Sequence, residues 1–381
     1  MIKINFAKVL VLILFIGGCS KENSVSISSF DPSSGDYNSQ VTIKGANFSS
    51  SGNLVQIGGK DAAVVSSSPT EIVASVPVGA FTGKITVSSG GKLATSADNF
   101  TVTSGAWTKM SSLPGRAVTG AGDLFFSVGS KGYVHSSQRT VNGSLADAEL
   151  WEYDLSSDSW SKKTELSKNF TGVGGVSFNS ADRGYILEYQ ELWEYNPVNN
   201  NWTKKGGLPL ALNTDQVLCA CYVSSINKVA LIDFQGSFFT YDPVGDIWGR
   251  DNNLIPFSAN MKGGDHLCGG IQSKAYFTNG SDVWEWDSSS NQWTQLPAFP
   301  GSTSSDYSFV ADNELYIGVG FEDNLWVYKS SIKKWVQKSG MIGASRNLPI
   351  YLTINNKGFV GMGISNTTNS FLLSDFNKYN P

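Results

Sequence analysis

The stretch LWEYDLSSDSW, Leu150 to Trp160, returns about forty residues later as LWEYNPVNNNW, Leu192 to Trp202. The tryptophans and the tyrosine keep their spacing while the residues between them change. Fixed spacing with free filling marks a packing unit: side chains that must meet neighbours are held, and those that only turn the chain are not. The same register runs on through the chain. It gives ELWEYD (149–154), ELWEYN (191–196), SFFTYD (237–242), DVWEWD (282–287), NLWVYK (324–329) and DFNKYN (375–380), 42 to 51 residues apart.

A second tryptophan follows seven residues after the tyrosine slot in five copies: Trp160, Trp202, Trp248, Trp293 and Trp335. The sixth copy reaches Tyr379 and stops at Pro381, with no room for its tryptophan. One tryptophan is left over, Trp107 in GAWTKMSSLPG, whose surroundings match the outer segments such as NWTKKGGLPL. A ring explains both facts: the strand around Trp107 completes the sixth repeat and closes the circle. All 11 tryptophans then occupy repeat slots.

Each copy is preceded by two further β-like segments. The second of these reads KGYV, RGYIL, KVALID, KAYF, ELYIG and KGFVG. Four short antiparallel strands per repeat, arranged radially, predict a six-bladed β-propeller over residues 105–381. The Gly-Gly, Tyr and Trp pattern resembles the kelch family, though the double glycine is kept clearly only at Gly174-Gly175 and Gly269-Gly270. Side chains two apart in a strand share a face, so Trp151 and Tyr153 point one way and Leu150 and Glu152 the other. A blade inside a ring is covered on both faces, so aromatics there bury about 150–250 Å² each. The slots Trp107, Trp151, Tyr153, Trp160, Trp193, Tyr195, Trp202, Tyr241, Trp248, Trp284, Trp286, Trp293, Trp326, Tyr328, Trp335 and Tyr379 are therefore expected to be structural. Asp154, Asp242 and Asp287 are expected to shape turns.

Ahead of the ring, residues 25–103 read as about seven short strands between Gly, Pro, Asn and Ser: VSISSF, QVTIKG, LVQIGG, AAVVSS, EIVASVP, GKITVSS and NFTV. FDPSSG, VTIKGANF and the closing NFTV, in that order, resemble the IPT/TIG family, which implies an immunoglobulin-like sandwich acting as spacer or interaction module. The whole chain is thus expected to be all-β, a sandwich followed by a propeller.

The first residues belong to neither domain. Lys3 and Lys8 precede an apolar run, Val9 to Ile16, followed by Gly17-Gly18-Cys19. This pattern is a secretory signal, too brief to span a bilayer as a mature helix. Ile-Gly-Gly-Cys resembles the bacterial lipobox, which implies cleavage after residue 18, lipidation of Cys19 and a polar tether over residues 19–24. The resemblance places the protein in a bacterial cell envelope held by acyl chains, and Ser20, where an aspartate would retain it at the inner membrane, favours the outer membrane. Removing residues 1–18 deletes two lysines and no acid, so net charge moves from -4 to -6. No basic block appears, which argues against a nucleic-acid partner. A monomer is expected.

Chemistry-bearing residues are sparse. The two histidines, His135 and His266, and the cysteines Cys219, Cys221 and Cys268 form no close-spaced ligand set, so neither a metal nor a cofactor is expected. Cys219 and Cys221 share one strand face and are badly placed to pair with each other. A bridge from one of them to Cys268 stays open beside the expected buried free thiols. Loops at one end of the ring offer a candidate channel-mouth set: Arg116, Arg139, Asp265, His266, Asp306 and Arg346. Arg116 and Arg346 belong to adjacent blades and would suit an anion if they faced the channel.

Two function classes follow. In the first, the sandwich spaces a propeller that binds a glycan or an envelope protein. In the second, the architecture resembles the sialic acid epimerases, six-bladed kelch proteins that act on a carboxylated sugar, and the channel is an epimerase or mutarotase site. No catalytic motif aligns, so that resemblance assigns no catalytic residue.

Overall fold

The computed structural model describes residues 24–381, except 116–122, 137–138, 142–143, 147, 167–174, 189, 207–208, 210–216, 234, 252–254, 257–265, 302–306, 321, 323 and 366–370. Residues 1–23 lie outside it, so the signal segment, Cys19 and most of the tether are not described.

Residues 26–102 form two packed sheets. One has the strand order Ser26–Asp31, Gln40–Ala46, Glu71–Ser75, Val64–Ser67; the other runs Ser34–Gly35, Lys92–Val102, Gly83–Ser89, Leu54–Ile57, Lys60–Ala62. Period-2 alternation sends Val41, Ile43, Val55, Ile57, Ile72, Ile85, Val87 and Phe100 into one core, with Phe48 beside them. Two details differ from the sequence reading. The run AAVVSS is divided, its first part (Lys60–Ala62) pairing in one sheet and its second (Val64–Ser67) in the other. The last strand begins at Lys92, well before NFTV.

The rest of the chain forms six four-stranded antiparallel sheets. Their innermost strands touch in a closed cycle: Leu124–Val128, Val176–Asn179, Val217–Val223, Cys268–Ile271, Tyr307–Ala311, Ile350–Ile354, and back to Leu124–Val128. This is a six-bladed propeller, and blades are numbered 1 to 6 in that order. The sixth blade takes its outermost strand from Ala106–Met110, ahead of all the others in sequence. There Trp107 stands opposite Tyr379, as Trp160 stands opposite Tyr153, Trp202 opposite Tyr195 and Trp335 opposite Tyr328. The missing tryptophan of the sixth copy is thus supplied in register.

Every residue type in LWEYDLSSDSW has a repeated task. Leu150 is buried towards blade 2, while Tyr153, Trp151 and Trp160 join the cluster of Leu352, Phe359 and Phe376 in blade 6. The Tyr153 hydroxyl donates to Asp158 at 2.8 Å, Tyr195 to Asn200 at 2.8 Å and Tyr241 to Asp246 at 2.9 Å; in blade 4 the Trp286 indole does the same to Asn291 at 2.9 Å. Those acceptors sit at φ of 47°, 53°, 52° and 54°, the left-handed turn region that Asn and Asp tolerate best. Asp154, Asp242 and Asp287 accept from backbone N–H groups two residues on and so shape the same turns. The outer tryptophan then reaches across: Trp160 Nε1 donates to Ser111 O at 2.8 Å, Trp335 to Pro297 O at 2.8 Å and Trp107 to Ser339 O at 2.9 Å. Its Nε1–H therefore satisfies a carbonyl of the preceding blade.

The small residue of KGY takes the opposite role. A Cβ on Gly184 would lie 2.0 Å from Phe126 of blade 1, and one on Gly358 2.1 Å from Phe309 of blade 5. Only glycine admits so close an approach. Beside it, Glu152 is buried and accepts from Lys131 at 2.6 Å and Tyr133 at 2.7 Å. Burial raises its pKa, but the bonds from Lys131, Tyr133 and Lys163 outweigh that and leave it below the ordinary carboxylate value.

Sandwich and ring are joined by more than a linker. The Tyr37 N–H donates to Ser104 Oγ at 2.7 Å, and the Tyr37 hydroxyl lies 3.0 Å from Ser339 Oγ of blade 5. Lys338, 5% exposed, donates to Asp36 at 2.5 Å and to Thr103 O at 3.1 Å.

Candidate functional site

Inner strands of the six blades surround an open central cavity of about 540 Å³. Alternation along each strand decides what it sees. In Leu124–Val128, the residues Leu124, Phe126 and Val128 are buried between blades while Phe125 and Ser127 face the opening. The Phe125 and Tyr351 rings, from blades 1 and 6, meet edge-to-face with centroids 4.7 Å apart. Tyr222 of blade 3 joins the wall, its hydroxyl held by Asn227 at 2.8 Å. Ser177, Asn179, Gln272, Ser308, Asn313 and Thr353 supply hydroxyl and amide groups. Among the described residues that line it, none carries a charge.

Part of this polarity serves the ring itself. Ser177 Oγ accepts from the Phe125 N–H at 2.9 Å and donates to Phe125 O at 2.7 Å, joining blades 1 and 2. Ser308 Oγ donates to Cys268 O at 3.2 Å, and Thr353 Oγ1 accepts from the Val310 N–H at 2.9 Å. Inner strands of neighbouring blades belong to different sheets, so these hydroxyls bridge backbone groups that have no ladder partner there. Asn179, Gln272 and Asn313 line the cavity near the first turns, the Asn179 amide donating to Ser180 O at 3.0 Å.

Of the six candidate mouth residues, the side chains of His266 and Arg346 are described. Arg116, Asp265 and Asp306 lie outside the described residues, as does the side chain of Arg139, whose backbone forms a short hairpin, Arg139–Val141 against Ser144–Ala146. His266 is described: its Nδ1 lies 3.2 Å from Thr278 O at the edge of blade 4, next to Leu267, whose N–H donates to Thr278 Oγ1 at 2.9 Å. Arg346 corrects the reading outright. It is fully buried and does not face the channel. Its guanidinium forks onto Asp375 at 2.7 and 2.8 Å and also donates to Met362 O and Ala344 O. Four of its five N–H donors are thus used inside the fold, and its complete burial keeps it from a ligand anion in the channel. Burial raises the Asp375 pKa, but the Arg346 fork outweighs it and holds the carboxylate below its ordinary value.

Cys219, Cys221 and Cys268 are free thiols. Among the described residues, no group of three or more His, Cys, Asp or Glu is placed to hold a metal ion.

Residues 25–103 match the IPT/TIG domain family. No curated protein sequence matches the chain. The solved structure of YjhT superposes with a TM-score of 0.52 at 12% identity, covering 70% of this chain and 96% of its own. An auxiliary nutrient binding protein from Bacteroides ovatus ATCC 8483 gives a TM-score of 0.47 at 11% identity, covering 94% and 98%. One from Bacteroides thetaiotaomicron VPI-5482 gives 0.43 at 14%, with the same coverage. At such identities a likeness concerns the fold alone.

The wall residues Phe125, Tyr222 and Tyr351 were not among the sequence candidates. Their signal is faint: an aromatic at an alternate position of a first strand, in a protein whose aromatics otherwise serve the seams.

Proposed function

We propose that this chain is a lipid-anchored binding protein of a bacterial cell envelope, outer membrane favoured, whose kelch-type propeller receives a glycan or an envelope-protein segment in its central channel. Cys19 carries the anchor, residues 20–24 the tether, and the IPT/TIG sandwich holds the ring away from the membrane. The observation that carries this reading is the channel: about 540 Å³, open, walled by aromatic rings, hydroxyls and amides, and without charge among its described lining residues. That size is within the range of ligand sites, and such groups suit stacking and hydrogen bonding against a ligand.

The epimerase reading needed Arg116 and Arg346 to converge on a carboxylate. Arg346 is occupied by Asp375 instead, and no observation favours that reading.

The test uses the mature protein without residues 1–19. It should retain an envelope glycan or protein saturably, and Tyr351→Ala should weaken retention about tenfold while leaving the circular dichroism unchanged. Retention of nothing from an envelope extract, or equal retention by Tyr351→Ala, would overturn the assignment of the channel.

A further inference from the structure

The seam between blades 3 and 4 is built unlike three others in the ring. At the seams between blades 1 and 2, 4 and 5, and 5 and 6, a hydroxyl links the inner strands. At this one, three thiols gather. Cys219 and Cys221, two apart on Val217–Val223, are buried in a cluster that spans into blade 4 with Ala275, Phe277 and Trp286. Cys268 opens the inner strand of blade 4, is partly exposed, and packs on the same cluster. Its thiol is within hydrogen-bonding reach of both others.

Backbone geometry agrees. A Cβ on Gly270 would lie 1.8 Å from the Tyr222 carbonyl oxygen, so the two inner strands run almost in contact. Inner strands of successive blades run in the same direction. Setting residue 270 beside 222 therefore sets Cys268 level with residue 220, between the two other cysteines. Cys221 and Cys268 both line the channel, whereas Cys219 does not. An oxidant arriving through the channel thus meets the first two.

We propose that Cys268 and Cys221 form a disulfide that ties blade 3 to blade 4 on the channel wall, made by exchange with a disulfide-bearing oxidant. The Cys268 thiolate attacks one sulfur of the oxidant's disulfide and expels the other as a thiolate, leaving a mixed disulfide in the channel. The Cys221 thiolate then attacks the Cys268 sulfur, closes the protein disulfide and expels the second oxidant sulfur. Two protein thiols lose two protons and two electrons, and the oxidant leaves as two thiols. Burial holds the Cys268 thiol well above its usual range, and the hydrogen bond with Cys268, with burial, does the same for Cys221. Exchange is therefore slow at neutral pH and quickens as pH rises. The product closes a loop between strands that no ladder joins, so it restrains the unfolded chain.

The folded mature protein is incubated with oxidised glutathione, the remaining thiols are alkylated, and peptides are mapped without reduction. Before alkylation the expected product is lighter than the starting protein by two hydrogens, and its map carries a link between the Cys268 and Cys221 peptides. Cys219→Ser should keep the link, and Cys221→Ser should lose it. The wild-type map needs no variant to fold. Three alkylatable thiols after oxidation, a glutathione adduct that persists on Cys268, or a link that survives in Cys221→Ser would each overturn the proposal.

Discussion

The outer and inner strands of the propeller solve the same problem, joining one sheet to the next, in opposite ways. Outer strands reuse one solution, complete in blades 1 and 2: a tyrosine bonded to a left-handed Asp or Asn, and a tryptophan whose Nε1–H crosses to the preceding blade. Inner strands use a Ser or Thr hydroxyl at three seams and, between blades 3 and 4, the Gly270 close approach with its three thiols. An outer position has a single task and can keep its residue. An inner position serves both a seam and the channel, and the channel is free to differ.

The comparison is broken most sharply at the closure. Trp107 is buried to 9% exposure, packs edge-on against Phe309 at 6.1 Å and donates to Ser339 O. Trp107→Ala should cost about 4 kcal/mol in chemical denaturation, because it empties a buried site and unfastens the strand that closes the circle. Phe125→Ala on the channel wall should cost about half of that, since its ring is only half-buried. Equal costs would mean that the channel wall is as structural as the outer seams.

Arg346 tests the sixth blade from within. Removing it leaves Asp375 facing a partner lost from a buried site, and Arg346→Ala should cost about 3 kcal/mol. The same pair sets an acid limb. The Asp375 pKa is lowered in the fold, so its contribution is present above the ordinary aspartate value and is lost as pH falls through the lowered one. Unfolding free energy measured against pH should fall below about pH 4 in the native protein. The fall should be shallower in Arg346→Ala.

That pair also shows why the site was harder to read than the fold. The residue two before the tryptophan of LWEY accepts from its indole: Glu149 from Trp151 at 3.0 Å, Glu191 from Trp193 at 3.2 Å. In DFNKYN the tryptophan slot holds Asn377, which donates to Asp375 at 3.1 Å. A slim amide in place of an indole leaves the carboxylate open, and Arg346 occupies it. The ring closure could be read from the sequence because Trp107 and Tyr379 are each one member of a series. Arg346 could not, because its partner, Asp375, 29 residues on, became available through the absence of a tryptophan at position 377. The wall residues were obscured likewise: Phe125 and Phe126 are adjacent phenylalanines, and only the phase of the strand sends one to the channel and the other to a seam. Positions such as Arg116, on which the anion reading also rested, lie outside the described residues.

The sandwich junction extends the comparison to the outer strand of blade 5, whose last residue, Lys338, is almost wholly buried against Asp36. Burial lowers the Lys338 pKa despite the pull of Asp36. Asp36→Ala strands that ammonium and should cost about 2 kcal/mol, while Lys338→Met, which fills the site without charge, should cost less than about 1 kcal/mol. Stability set against pH adds a second check. A lysine with a lowered folded pKa binds fewer protons folded than unfolded, so it makes stability rise with pH between the lowered value and the ordinary 10.5. That rise should vanish in Lys338→Met.

The smallest effect sharpens the comparison by repairing the outer repeat where it lapses. Blade 5 places Lys333 in the left-handed turn position, at φ 52°, where blades 1 to 4 have Asp158, Asn200, Asp246 and Asn291. Lysine suits that conformation less well than asparagine, and it offers no acceptor to the hydroxyl of Tyr328. Lys333→Asn removes backbone strain and adds the acceptor that its counterparts provide at 2.8 to 2.9 Å. It should stabilise the protein by about 1 kcal/mol, read as a shift of the denaturation midpoint with unchanged slope. The same change at a turn of the inner wall would have no such template, because Gln272 and Asn313 already occupy left-handed positions there beside the channel. A gain at Lys333 shows that the outer motif is a transferable unit whose energy resides in its own residues. No gain would mean that the bonded turn is a consequence of ring closure rather than a contributor to it.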